Sequence, residues 1–202
     1  LGVSSPSKIN QVTLNDLISL PDAPDEPMGD NEVTVLYAEG EIMDSPYSQE
    51  GIQSALAEQL KRLGEEGTST KALVLRINSP GGSAFLSEQI WHQLRELKRK
   101  FPVVVSMGDV AASGGYYIAS AADAIVASPM TVTGSIGIFG IVPEASVLAK
   151  RLGLSMDVVK TSPYADLEIG GIFGLGINGL SPEQKAVIQG IVERGYRTFL
   201  SR

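Results

Sequence analysis

The sequence predicts an α/β domain with a largely parallel sheet flanked by helices. Three observations carry this. Short uninterrupted runs of β-branched and aliphatic residues recur along the chain, as they do in strands buried on both faces. Between them lie segments whose apolar residues repeat at helical spacing. From residue 31 onward the two kinds alternate, which is the pattern of successive strand–helix–strand units.

The elements follow in order. Residues 1–30 hold Pro6, Pro21, Pro24 and Pro27 and one apolar patch from Leu14 to Leu20, so they read as a linker with room for one short helix. The domain, residues 31–202, opens with the strand Val33 to Ala38, closed by Gly40. Ile52, Leu56, Leu60 and Leu63 share one helical face that ends at Gly64. Ala72 to Ile77 is a second strand, broken by Asn78-Ser79-Pro80-Gly81-Gly82, and Ser83 caps a helix with the stripe Leu86, Ile90, Leu94 and Leu97. Val103 to Val105 is a third strand. A small-residue helix from Ser113 to Ala122, a strand from Ala124 to Ala127, a helix from Glu144 to Leu152 stopped by Gly153 and a strand from Met156 to Val159 complete the alternation. Ser181, Pro182 and Gln184 open the last helix with a capping box. Leu1 is not an initiator methionine and this last pattern reaches Arg202 with no Gly or Pro stop, so a domain truncated at its C-terminus is expected.

Composition narrows the chemistry. With 16 Lys+Arg against 23 Asp+Glu in 202 residues, the net charge is −7, which argues against nucleic acid or a basic-patch membrane contact. The absence of cysteine removes disulfides, thiolate nucleophiles and Cys-ligated metals, and a single histidine removes His-rich metal sites. No cofactor or metal is expected, and catalysis must run on Ser, Thr, Lys, Tyr or carboxylates. Gly174 to Gly179 matches G-x-G-x-x-G but follows no strand, so a dinucleotide is not expected; the apolar stretch from Gly170 to Gly179 suits a groove lining or a neighbour's surface. No run of about 18 apolar residues spans a bilayer, and the N-terminus lacks a signal-peptide layout.

Two strand-to-helix junctions carry the candidate site. In Gly108-Asp109-Val110-Ala111-Ala112-Ser113-Gly114-Gly115-Tyr116-Tyr117 a serine stands at the positive end of a new helix beside free amides, with glycines that let a substrate backbone approach. Ser79-Pro80-Gly81-Gly82-Ser83 can turn adjacent N–H groups towards an anionic oxygen. Successive parallel strands bring both junctions to one carboxyl edge, where open α/β sheets bind ligands. His92 lies about 200° round its helix from Ile90, at roughly 100° per residue, and so points to solvent; a Ser-His-Asp triad is not expected. Asp109, Asp123 and Asp166 show no paired spacing for a glycosidase or metal hydrolase.

Four blocks in one order, Ser79 to Ser83, Ala111 to Tyr117, Ala121 to Ala127 and Thr133-Gly134-Ser135-Ile136-Gly137-Ile138, resemble the signal peptide peptidase A family, also called protease IV. The resemblance runs from about residue 31 to the C-terminus. It implies a crotonase-like, Clp-type fold and a serine endopeptidase that degrades cleaved signal peptides and other apolar peptides at the bacterial inner membrane, on the periplasmic side. It implies Ser113 as nucleophile, the N–H groups of Gly82 and Gly114 as oxyanion hole, and Ser135 as a residue supporting a lysine base. The chain is most similar to the C-terminal half of long, two-repeat Gram-negative members, which implies as partners the N-terminal half of the same protein, further copies of itself, and a membrane reached through a segment absent here.

The base departs from the short members. They place it in a stretch resembling Val-Ile-Lys-Ser-Gly-x-x-Lys-Asp, and Val158-Val159-Lys160-Thr161-Ser162-Pro163-Tyr164-Ala165-Asp166 puts Ala165 at the second lysine. Long members take that lysine from their N-terminal half. Lys160 stays as a weaker candidate base because it matches the first, non-catalytic lysine. The rival class is a non-catalytic crotonase-like module for peptide binding or assembly. An acyl-CoA enzyme of the same fold would use the two amides but would not need the serine.

Overall fold

The computed structural model describes residues 32–43, 52, 54–65, 69–155, 157, 159–162, 164, 165, 167 and 179–202. The expected linker at 1–30 lies outside these, as does most of the glycine-rich stretch at 170–179. The strands are β1 (Glu32–Glu39), β2 (Thr70–Ser79), β3 (Val103–Ala112), β4 (Ala124–Val126) and β5 (Val132–Gly134). All four pairings are parallel, in the order β1-β2-β3-β4, with β5 also on β3. On the edge of β3 away from β2, β4 pairs with Val104–Ser106 and β5 with Val110–Ala112.

One face of the sheet builds the core. Leu73, Leu75, Ile77, Val103, Val105 and Met107 point into it, and two helices cover them: α1 (Ser54–Leu63) through Leu56 and Leu60, and α2 (Ala84–Leu97) through Leu86, Ile90, Leu94 and Leu97. Each large side chain buried in this way contributes about 1.5–3 kcal/mol. Ser83 caps α2 by accepting the Leu86 N–H at 3.3 Å. On the other face Val33, Val35 and Tyr37 are exposed among the described residues. Three helices follow: α3 (Gly114–Ala119), α4 (Ser146–Arg151) and α5 (Pro182–Leu200). The capping box of α5 is formed, with Gln184 N–H donating to Ser181 Oγ at 3.2 Å and Ser181 N–H to Gln184 Oε1 at 2.9 Å. No described helix is long and apolar enough to cross a membrane.

Several expectations are corrected. Ile52 precedes α1 and bridges Ile42 instead of joining the helical stripe. The helices expected at 113–122 and 144–152 are trimmed at both ends. β4 reads as a buried strand but is an exposed edge, because no described element packs over Ile125 and Val126. Of the strand expected at 156–159, Met156 and Val158 lie outside the described residues, while Asp157 and Val159 are not extended into any sheet and Val159 is fully exposed.

β3 differs most, running ten residues where its apolar run suggests three. Between Ile77↔Met107 and Ser79↔Ala111 the register slips, so four residues of β3 advance where β2 advances two. Such a bulge leaves ladder groups unpaired and re-aims the strand. Here the Asn78 side chain fills the gap, its Oδ1 accepting the Val110 N–H at 3.1 Å, while the Thr131 hydroxyl donates to the Gly108 carbonyl at 2.8 Å. The strand therefore continues to Ala112 and delivers Ser113 at its tip.

Candidate active site

Ser113 joins β3 to α3 with φ 51° and ψ −119°. A non-glycine residue in such a sparsely populated region costs on the order of 1–3 kcal/mol and persists only where neighbours hold it. They do so here. Ser113 N–H donates to the Gly134 carbonyl at 2.9 Å, which is the function of the short strand β5, and the Ser113 carbonyl accepts the Tyr117 N–H at 2.8 Å. The hydroxyl makes no capping bond and has no partner among the described residues. Strain and free hydroxyl together present a serine at a sharp strand-to-helix turn.

The glycine loop lies directly on this turn. A Cβ on Gly81 would sit 2.6 Å from Gly114 N and 2.8 Å from Ser113 Cβ, so the approach of the two backbones requires glycine there. Ile42 fixes the loop, donating to Gly81 O at 2.8 Å and accepting from Ser83 N–H at 2.7 Å. In that parallel bridge Ile42 bonds the two neighbours of Gly82, and the Gly82 amide itself is turned to the opposite side. Ser79, fully buried, steadies the loop by accepting Gly81 N–H at 3.1 Å. The amides of Gly82 and of Gly114, the first residue of α3, have no acceptor among the described residues.

Gly82, Ser113 and Gly114 meet in one cavity of about 300 Å³. Its remaining lining includes Ser83 and Ser87, with an apolar wall of Tyr117, Ile138, Phe139 and Phe199. The Tyr117 and Phe199 rings meet edge to face at 4.8 Å. Tyr117 donates its hydroxyl proton to Glu88, and burial followed by that bond raises the phenol above its ordinary pKa.

Three of the five expected site residues are thus brought together. Ser135 is exposed, with φ 51°, directly after the Gly134 that holds Ser113, and it does not line the cavity. Lys160 is exposed and also outside the lining. No histidine, lysine or carboxylate is among the described lining residues. His92 is exposed on α2 and borders a separate cleft with Lys61, Glu96 and Lys100. Tyr117 and Phe199 were not singled out by the sequence. The first sits in the Gly-Gly-Tyr-Tyr block, where its aromatic ring was a usable signal, but nothing local marks Phe199 as its partner.

The family model for peptidase family S49 matches residues 95–202, and the model for Clp protease matches residues 26–132. Protease 4 of Haemophilus influenzae is 37% identical over 201 residues, covering 98% of this chain and 32% of that protein. Protease 4 of Salmonella typhi is 40% identical over 170 residues, covering 84% of this chain and 26% of that protein. The chain thus spans about a third of the first relative and a quarter of the second. A solved structure of the 1510-N membrane-bound stomatin-specific protease is 21% identical with a TM-score of 0.41, covering 67% of this chain and 57% of that one. The S49 match takes in more than half of the residues and includes the Ser113 turn, and the glycine loop lies within the Clp match. The chain belongs to peptidase family S49, a family of serine peptidases, on a Clp-protease-like fold.

Proposed function

We propose that this chain supplies the nucleophile and oxyanion hole of a serine endopeptidase that works through a Ser/Lys dyad on apolar peptides, cleaved signal peptides among them. The observation that carries the reading is the strained Ser113 turn, whose unbonded hydroxyl shares a cavity with the unpaired amides of Gly82 and Gly114. Ser113 Oγ attacks the scissile carbonyl carbon while a lysine amine takes its proton. The two amides bind the oxyanion, and collapse of the intermediate expels the peptide amine, which receives the proton from the lysine. Water then releases the acyl group by the same steps.

The lysine comes from outside the described lining, in this reading from an N-terminal half docked over the cavity. Docking strips water from the amine and lowers its pKa towards neutrality. Ser135, beside the Gly134 anchor, supports that amine. The apolar wall of Tyr117, Ile138, Phe139 and Phe199 favours apolar side chains by burial. The complete protein is a homo-oligomer at the bacterial inner membrane with this domain on the periplasmic side. In the complete protein, Ser113→Ala abolishes hydrolysis of an apolar peptide while Lys160→Ala retains it. A substrate with Leu before the scissile bond is cleaved faster than one with Asp. Turnover by Ser113→Ala, or equal kcat/KM for the Leu and Asp substrates, would refute the reading.

A further inference from the structure

We propose that Arg202 is a positioning residue: it latches the end of α5 to α2 and α3 and so holds Phe199 as the wall that makes the Ser113 cavity select a bulky apolar side chain. This rests on the peptidase reading above. Among the described residues, α5 has two buried side chains, Gln184 in its first turn and Phe199 in its last. Phe199 is only 5% exposed and meets Tyr117 edge to face, and both rings line the cavity that contains Ser113. The position of this wall therefore depends on what holds the far end of α5.

Arg202 does that with one edge and one flat side of its guanidinium. Nη2 donates to Glu88 Oε1, while Nε lies 3.2 Å from both Glu88 Oε2 and Tyr117 Oη. The Tyr117 hydroxyl donates to Glu88, which closes a triangle of three residues over α2, α3 and the end of α5. The flat side of the guanidinium stacks on Trp91, 4.0 Å from the ring centroid, and Trp91 is itself fixed by donating Nε1–H to Ser120 Oγ at 3.1 Å. A planar fork that both stacks and bonds a carboxylate twice is chemistry that arginine performs and lysine does not. Tyr117 belongs to the latch by its hydroxyl and to the cavity by its ring, so the geometry of one fixes the other.

The experiment uses the complete protein and amide substrates with Leu or Ala before the scissile bond, for which slow acylation makes KM track binding. Arg202→Met removes the guanidinium and keeps an apolar stem. It is expected to raise KM for the Leu substrate about tenfold, leave its kcat within about twofold and leave the Ala substrate unchanged. Glu88→Gln, which preserves shape, moves the Leu/Ala ratio in the same direction and covers the case in which Arg202→Met folds poorly. The emission of Trp91, isolated by subtracting the spectrum of Trp91→Phe, changes with Arg202→Met. It stays unchanged in Phe199→Leu, which shifts the Leu/Ala ratio alone. An unchanged ratio in both Arg202→Met and Glu88→Gln, equal losses on the two substrates, or unchanged Trp91 emission in Arg202→Met would each overturn the proposal. Turnover surviving Ser113→Ala would instead overturn the peptidase reading, and the emission change would still report the latch.

Discussion

Replacing Gly82 with alanine tests the site where its geometry is tightest. Gly82 has φ 148°, and an added Cβ would lie 2.2 Å from the Ile42 carbonyl oxygen and 2.9 Å from its carbonyl carbon and nitrogen. All three are backbone atoms, so no rotamer change relieves the clash. Reaching ordinary contact requires the loop to retreat by roughly 1 Å, since non-bonded atoms pack at about 3.5–4.0 Å. That movement strains the bonds from Ile42 N–H to Gly81 O and from Ser83 N–H to Ile42 O, each worth about 0.5–1.5 kcal/mol net. It also withdraws the Gly82 amide from the place proposed for the oxyanion. One lost oxyanion donor costs about 2.7–4 kcal/mol, and a misplacement near 1 Å costs about a hundredfold by itself. Gly82→Ala is therefore expected to lower kcat by about 10²–10³, leave KM nearly unchanged, and lower stability by about 1–3 kcal/mol from the bonds and the backbone strain together. Steady-state kinetics on an apolar peptide and urea unfolding of the same preparation measure both. A variant with wild-type kcat and lowered stability would show that the loop moves without consequence for catalysis, and the oxyanion role of Gly82 would be wrong.

Two further predictions concern stability. Gly190 lies inside α5 with no atom of the described residues, beyond the helix's own backbone, within 4 Å of an added Cβ, so Gly190→Ala should stabilise by about 0.5–1 kcal/mol and raise Tm by a few degrees; an unchanged or lower Tm would contradict the open space seen there. The Asp123 carboxylate accepts the Val103 N–H at 2.9 Å and pairs with Lys98 at 3.1 Å, and the backbone bond first, then the lysine, hold its pKa below the usual value. A depressed carboxylate stabilises the fold above its unfolded pKa and loses that contribution as pH falls through the folded one. The stability gap between wild type and Asp123→Asn should therefore be level from about pH 7 to 5 and narrow below about pH 4, a small effect at a partly exposed site; a gap that widens in acid would reverse the sign.

Much of this protein was determined by its sequence alone, because the features involved are local. The helical stripes of α1 and α2, the caps at Ser83 and Ser181 and the runs forming β1, β2 and β3 depend on residues a few positions apart, and they set the parallel α/β architecture. The junctions at Gly81-Gly82 and Ser113-Gly114 were also legible, since a turn that admits positive φ and leaves amides unpaired needs small residues side by side. The tertiary structure decided what those junctions meet. That β3 bulges at Gly108 to Val110 depends on Asn78, thirty-two positions away, replacing a missing ladder bond. That Ile52 leaves its helical stripe depends on Ile42, and that β4 is exposed depends on the lack of any described element over it. The wall of the cavity is the clearest case: Phe199 and Arg202 reach Tyr117 and Glu88 across more than eighty residues. Periodicity records which face of an element is apolar, whereas the partner of that face is chosen by register and packing once distant segments have folded together.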